Sequence, residues 1–135
     1  MNHPGRLVVV DSSADGCTAL RLLLELDHYD VRTALTMGQA LRAVADHRPV
    51  CVLVDFASPA LDAVTLCRQL RADHGDDLVL IALSAWRYDI DRDAAEAAGA
   101  DAVVVKPIDA TRLREILAAA SADAPYAEHA ARNAA

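Results

Sequence analysis

Aromatic side chains are scarce in this sequence. Phe, Trp and Tyr make up 4% of its 135 residues, so Leu, Val, Ile and Ala must fill the core. Cys17, Cys51 and Cys67 are an odd number with no C-x-x-C spacing. That argues against a disulfide framework or a zinc site and for reduced thiols packed as small hydrophobes. The longest runs of large apolar residues, Leu7 to Val10 and Val50 to Val54, are four and five long. A bilayer span needs roughly 20. Residues 1–6 carry no apolar signal-peptide segment. Lys and Arg form no cluster and the net charge is −7. Nucleic acid and anionic membranes are therefore poor direct partners. With only five Gly and five Pro, the composition is neither fibrous nor disordered. The expectation is one globular domain, soluble and cytoplasmic, over residues 1–121, with an Ala-rich tail or short helix over 122–135.

Four apolar runs dominate what is present: Leu7 to Val10, Cys51 to Val54, Leu78 to Leu83 and Ala102 to Val105. Short, uncharged and rich in β-branched residues, they read as strands buried on both faces. Tyr29 to Ala34 alternates like an edge strand. Helical periodicity lies between them, as in Met37, Ala40, Leu41, Val44 and Ala45, and in Leu113, Ile116, Leu117 and Ala120. Ser13 to Leu26 is apolar nearly all round, predicting a helix covered on most sides. A fourth helix would turn Ile90, Ala94, Ala97 and Ala98 to the core, a thin apolar face that makes it the element freest to shift.

Local signals punctuate these segments. Thr36 to Gln39 is a capping box. Ser58-Pro59 predicts a helix start, Gly75 and Gly99 predict stops, and Asp109 can cap the last helix. Alternating strands and helices imply an α/β doubly wound parallel sheet. The expected form is a flavodoxin-like (βα)5 fold with strand order 2-1-3-4-5.

Each buried run ends at a polar residue: Asp11, Asp55, Ser84 and Lys106. A parallel sheet puts all four at the carboxyl ends of its strands, where open α/β folds bind ligands. The five histidines show no ligand spacing. Trp86 and Tyr88 follow Ser84 in a loop, as partner-facing aromatics or as packing on the next helix.

With these residues the chain resembles the receiver domains of bacterial two-component response regulators. The resemblance runs from Arg6 to Ser121. It rests on Val-Val-Asp11, Leu-Val-Asp55-Phe-Ala-Ser-Pro59, Ala-Leu-Ser84-Ala85 and Val-Val-Lys106-Pro107. It implies phosphoryl transfer to Asp55 from a histidine kinase or histidine phosphotransfer protein. It also implies Mg²⁺ held by Asp11, Asp55 and the backbone carbonyl of Ala57, with Ser12 reaching it through a water. Lys106 and Ser84 would each hold a phosphoryl oxygen, and Lys106-Pro107 would be cis. Output would pass by protein contact, through the face made by the fourth helix, fifth strand and fifth helix. A downstream protein is the expected target, and the resemblance leaves room for a homodimer. Beyond self-catalysed phosphotransfer and dephosphorylation no enzyme activity is implied.

Two departures stand out. Ser12 occupies the position of a second acidic residue, which implies weaker Mg²⁺ binding, by about 1–4 kcal/mol after desolvation. Val103 occupies the position of a switch aromatic. Both favour an alternative, a pseudo-receiver that keeps the fold and binds proteins without phosphorylation. A flavin carrier of the same fold is a third reading, opposed by Asp11 and Asp15 where an FMN phosphate would sit.

Overall fold

A computed structural model describes residues 5–85 and 89–121. The elements alternate as the sequence predicts. They are β1 (Arg6–Val10), α1 (Ala14–Glu25), β2 (Asp30–Ala34), α2 (Met37–His47), β3 (Cys51–Asp55), α3 (Ala63–His74), β4 (Val79–Ala85), α4 (Asp89–Ala97), β5 (Ala102–Lys106) and α5 (Ala110–Ser121). A 3-10 turn, Gly75–Asp77, joins α3 to β4. The strands form one parallel sheet in the order β2-β1-β3-β4-β5. This is the flavodoxin-like topology. Expectations for Trp86, Tyr88, the Ile90 side chain and residues 122–135 fall outside the described residues.

Strand alternation splits the core in two. Leu7, Val9, Leu53, Ile81 and Val104 face α1 and α5, meeting Leu20, Leu24, Leu113 and Leu117. Val8, Val10, Val52, Val54 and Leu80 face α2 and α3, meeting Val44, Leu66 and Leu70. Because both faces are covered, the inner strands β1, β3 and β4 can be apolar along most of their length, which is why their runs lack polar alternation. All three cysteines are buried and free.

Several local signals act as expected. Thr36 Oγ1 accepts from the Gln39 amide at 3.1 Å, and the Gln39 side chain accepts from Leu35 N–H at 2.9 Å. Asp109 Oδ1 accepts from Thr111 and Arg112. Gly75 caps α3 at φ 58°.

Other expectations need correction. Ser58-Pro59 does not start α3. The helix begins at Ala63 and is capped by Asp62, whose carboxylate accepts from both the Thr65 amide and the Thr65 hydroxyl. α1 is not covered on most sides. It buries Cys17, Leu20 and Leu24, while Leu22 is 54% exposed and Leu26, just past its end, 72%. A helix lying on a sheet has one inward stripe, and these two leucines fall outside it. Among the described side chains at α4, Ala95 and, just past the helix end, Ala98 are buried, whereas Ala97 is exposed. His47 is buried at the end of α2, with Nε2 2.9 Å from Asp30 O.

One side chain ties the far end of the sheet. Arg71 Nη1 donates to Gly75 O (2.6 Å) and Leu78 O (2.7 Å), and Nη2 to Gly99 O (2.6 Å) and Asp101 Oδ2 (2.8 Å). Asp101 Oδ2 also accepts from Leu80 N–H at 2.9 Å, and Asp101 N–H donates to Leu80 O at 2.8 Å. The carboxylate thus adds a rung to the ladder before β5 begins. Gly99 sits at φ +104°, and a Cβ there would lie 3.3 Å from Arg71 Nε. Both conformation and close approach favour glycine at this position.

Candidate functional site

At the carboxyl edge of the sheet, β1 and β3 run side by side and each hands over to a turn that holds a carboxylate. Asp11, one residue past β1, accepts on Oδ1 from Ser13 N–H at 2.9 Å. Asp55, the last residue of β3, accepts on Oδ1 from Ala57 N–H at 2.8 Å. Its other oxygen, Oδ2, lies 2.9 Å from Lys106 Nζ at the end of β5. Phe56 N–H continues the β3–β4 ladder to Leu83 O at 2.7 Å and fixes the exit from Asp55. Lys106-Pro107 is cis, as expected.

Asp11 and Asp55 are buried, and Lys106 is 36% exposed at its side chain. The carboxylates feel each other. Burial pushes the Asp11 carboxyl above its ordinary value; the Ser13 amide opposes that rise, the Asp55 charge adds to it, and the Lys106 ammonium opposes it. Two acids beside one ammonium leave local negative charge that a cation would relieve.

Register puts Asp55 level with Leu83, and Ser84 level with Val105. Ser84 is buried near the end of β4, one residue past Leu83, the partner of Asp55. Ser12 does not stand alone at the rim. Its hydroxyl hydrogen-bonds that of Ser58 across the site. Ala57 is exposed between Asp55 and Ser58. Val103 is buried against Ala82 and Ala95 on the opposite side of the sheet from α1. A groove of about 240 Å³ opens beside Asp11 and Lys106, lined in part by Leu20, Leu23, Leu83 and Ile108.

Three features escaped the sequence reading. A Cβ on Gly16 would lie 2.6 Å from Asp11 Oδ2, so only glycine leaves that carboxylate where it is. Ser58 faces Ser12 instead of capping a helix. Lys106 is also the only lysine in the sequence, every other cationic side chain of the Lys and Arg set being arginine. That last signal was countable from the start.

The donor set suits Mg²⁺, which takes one or two carboxylates and keeps several waters. Among the described residues no three His, Cys, Asp or Glu gather into a richer metal cage. Among them, too, no helix is long and apolar enough to cross a membrane.

Known proteins resemble this chain over most of its length. Residues 7–118 match the family described as response regulator receiver domain. The chain is 38% identical over 115 residues to "Response regulator MprA" of Mycobacterium sp. (strain KMS), covering 85% of this chain and 48% of that protein. It is 38% identical over 102 residues to "Transcriptional regulatory protein PrrA" of Mycobacterium tuberculosis (strain ATCC 25618 / H37Rv), covering 76% of this chain and 43% of the relative. The chain spans about half the length of these relatives. The receiver domain of NtrX from Brucella abortus shares the fold, with a TM-score of 0.77 at 24% identity over 85% of this chain and 97% of that one. So does a response regulator receiver domain protein from Clostridium thermocellum, with a TM-score of 0.76 at 24% identity over 86% and 93%.

Proposed function

Because this chain belongs to the response regulator receiver family, and so to two-component signalling, we propose that Asp55 is its phosphoryl acceptor. The observation that carries the reading is the buried Asp55 carboxylate, 2.9 Å from the sole lysine and within electrostatic reach of Asp11. A carboxylate oxygen of Asp55 attacks the phosphorus of a phosphohistidine. The P–N bond breaks, and its electron pair stays with the leaving imidazole. Catalysis of such a transfer is positioning and charge neutralisation. The two Oδ1-accepting turns fix the carboxylates, Lys106 neutralises an equatorial phosphoryl oxygen, and Ser84 donates its hydroxyl to another.

Receiver domains generally bind Mg²⁺ at the phosphorylation site; here Asp11, Asp55 and the Ala57 carbonyl would hold it, with Ser12 acting through a water. When bound, the ion supplies positive charge to the transferring phosphoryl oxygens. The apolar flank of the groove, Leu20, Leu23 and Ile108, gives the donor protein a landing beside Asp11 and Lys106. Output passes to a protein target through α4, β5 and α5. Ala95 in α4 and Ala98 just past its end are buried, and each methyl contributes little apolar area at about 25 cal/mol/Å².

Intact mass after incubation with acetyl phosphate tests this, with and without Mg²⁺ and beside Asp55→Asn. One added phosphoryl group that needs both Mg²⁺ and Asp55 is the expected result. No adduct, together with no binding of beryllofluoride, would overturn it. The pseudo-receiver would then stand, a reading favoured by Ser12 in place of an acid and by Val103 packed where no ring can swing.

A further inference from the structure

We propose that Ser12 and Ser58 act as one unit, a neutral latch that joins the two carboxylate-bearing turns and sets the site's affinity for Mg²⁺. This rests on the reading of Asp11 and Asp55 as the metal-binding carboxylates. The two hydroxyls hydrogen-bond to each other although 46 residues separate them. Each stands next to a turn that aims a carboxylate. Ser12 lies between Asp11 and Ser13, whose amide holds Asp11 Oδ1. Ser58 follows Ala57, whose amide holds Asp55 Oδ1. Ser58 is available for this bond because Asp62, four residues on, caps α3.

The chemistry of the pair differs from that of a carboxylate in the same place. A third acid would repel Asp11 and Asp55 and push the loops apart without metal. Two hydroxyls add no charge, and their hydrogen bond restrains both loops before the ion arrives. That lowers the ordering cost of binding, which is the gain of a preorganised site. The Ser12 oxygen also keeps acceptor capacity for a water on the hydrated ion, whereas Ser58 acts only through its bond to Ser12. Ser12 and Ser58 are therefore positioning residues, and neither has to touch the reacting atoms.

A double-mutant cycle tests the latch: Ser12→Ala, Ser58→Ala and the double variant, with Ser58→Thr to restore a hydroxyl. Mg²⁺ dissociation constants come from calorimetry, and the Mg²⁺-dependent rise in thermal midpoint gives a second readout. Each alanine variant should weaken Mg²⁺ binding about 3- to 10-fold, the worth of one hydrogen bond. The double variant should be no weaker than the weaker single, since one bond cannot be lost twice. Ser58→Thr should stay within about twofold of the parent, on the same argument. Single variants that leave binding unchanged, effects that multiply in the double, or a threonine as weak as alanine would each overturn the latch. Phosphoryl uptake by the parent protein separates the two ideas. Uptake with a failed cycle overturns the latch alone, whereas a parent that neither binds Mg²⁺ nor takes up phosphoryl overturns the receiver reading and the latch with it.

Discussion

Gly16→Ala should separate the site's chemistry from the protein's stability. Gly16 lies in the first turn of α1, where alanine is the better helix former by up to about 1 kcal/mol. Against that gain stands the new Cβ, 2.6 Å from Asp11 Oδ2. To reach an ordinary contact of 3.4 Å, the oxygen must retreat by about 0.8 Å. Asp11 can do so by turning about its side-chain bonds, at roughly 0.5–1.5 kcal/mol for an off-rotamer angle. The two effects nearly cancel, so metal-free stability should change by less than about 1 kcal/mol, a few degrees of Tm. Mg²⁺ binding should not escape. The ion holds its oxygens at about 2.1 Å and tolerates little distortion, so a carboxylate displaced this far is largely lost as a ligand. The expected loss is about 10- to 100-fold in affinity, the range for a disturbed ligand shell. Calorimetric titration with Mg²⁺ and thermal melts with and without the ion read both quantities on one sample. Full retention of the Mg²⁺-dependent rise in Tm would refute the assignment of Asp11 as a ligand in this geometry. A metal-free Tm lowered by more than about 10 °C, well over 1 kcal/mol, would show that Gly16 is needed for packing instead.

Asp11→Asn should raise metal-free stability at neutral pH. Folding raises the Asp11 carboxyl above its value of 3.8, so the folded chain binds that proton more tightly than the unfolded one. Metal-free stability therefore falls as pH rises from about 4 through the raised value, and the variant should lack this segment of the profile in melts between about pH 4 and 7. Ser12→Asp should tighten Mg²⁺ binding about tenfold or more while lowering metal-free Tm, because the new charge attracts the ion and repels Asp11 and Asp55; calorimetry and melts read the two effects. Arg71→Ala should cost about 2–4 kcal/mol in urea unfolding, since three carbonyls and Asp101 lose a donor at once. Arg71→Lys should recover less than half of that, because one ammonium cannot span the fork of a guanidinium.

The sheet was legible because its signal is local and redundant. Runs such as Cys51 to Val54 are short, β-branched and uncharged, and a strand buried on both faces has to be so. Their polar end residues then followed from topology, which brought Asp11, Asp55 and Lys106 to one edge before any distance was known. What stayed hidden depends on contacts far apart in the chain. Ser58-Pro59 has the form of a helix start, yet the Ser58 hydroxyl bonds Ser12, 46 positions away, and Asp62 takes the cap. Arg71 resembles any arginine near a helix end, and only the folded chain brings Gly99 and Asp101 to it. The apolar surface of α1 misled for the opposite reason: composition counts leucines without showing which, like Leu22, point outward.

The single lysine has a practical consequence. Its ammonium, 2.9 Å from Asp55 and partly open to solvent, is the one side-chain primary amine in the sequence. Reductive methylation with isotope-labelled formaldehyde keeps the positive charge and places a dimethylamine at that one side chain. Its NMR resonance, distinct from that of the terminal amine, sits against the Asp55 carboxylate. The spectrum of a labelled sample thus reduces the electrostatic state of the whole pocket to one line, and titrants, additives and protein partners can be scored by whether they move it.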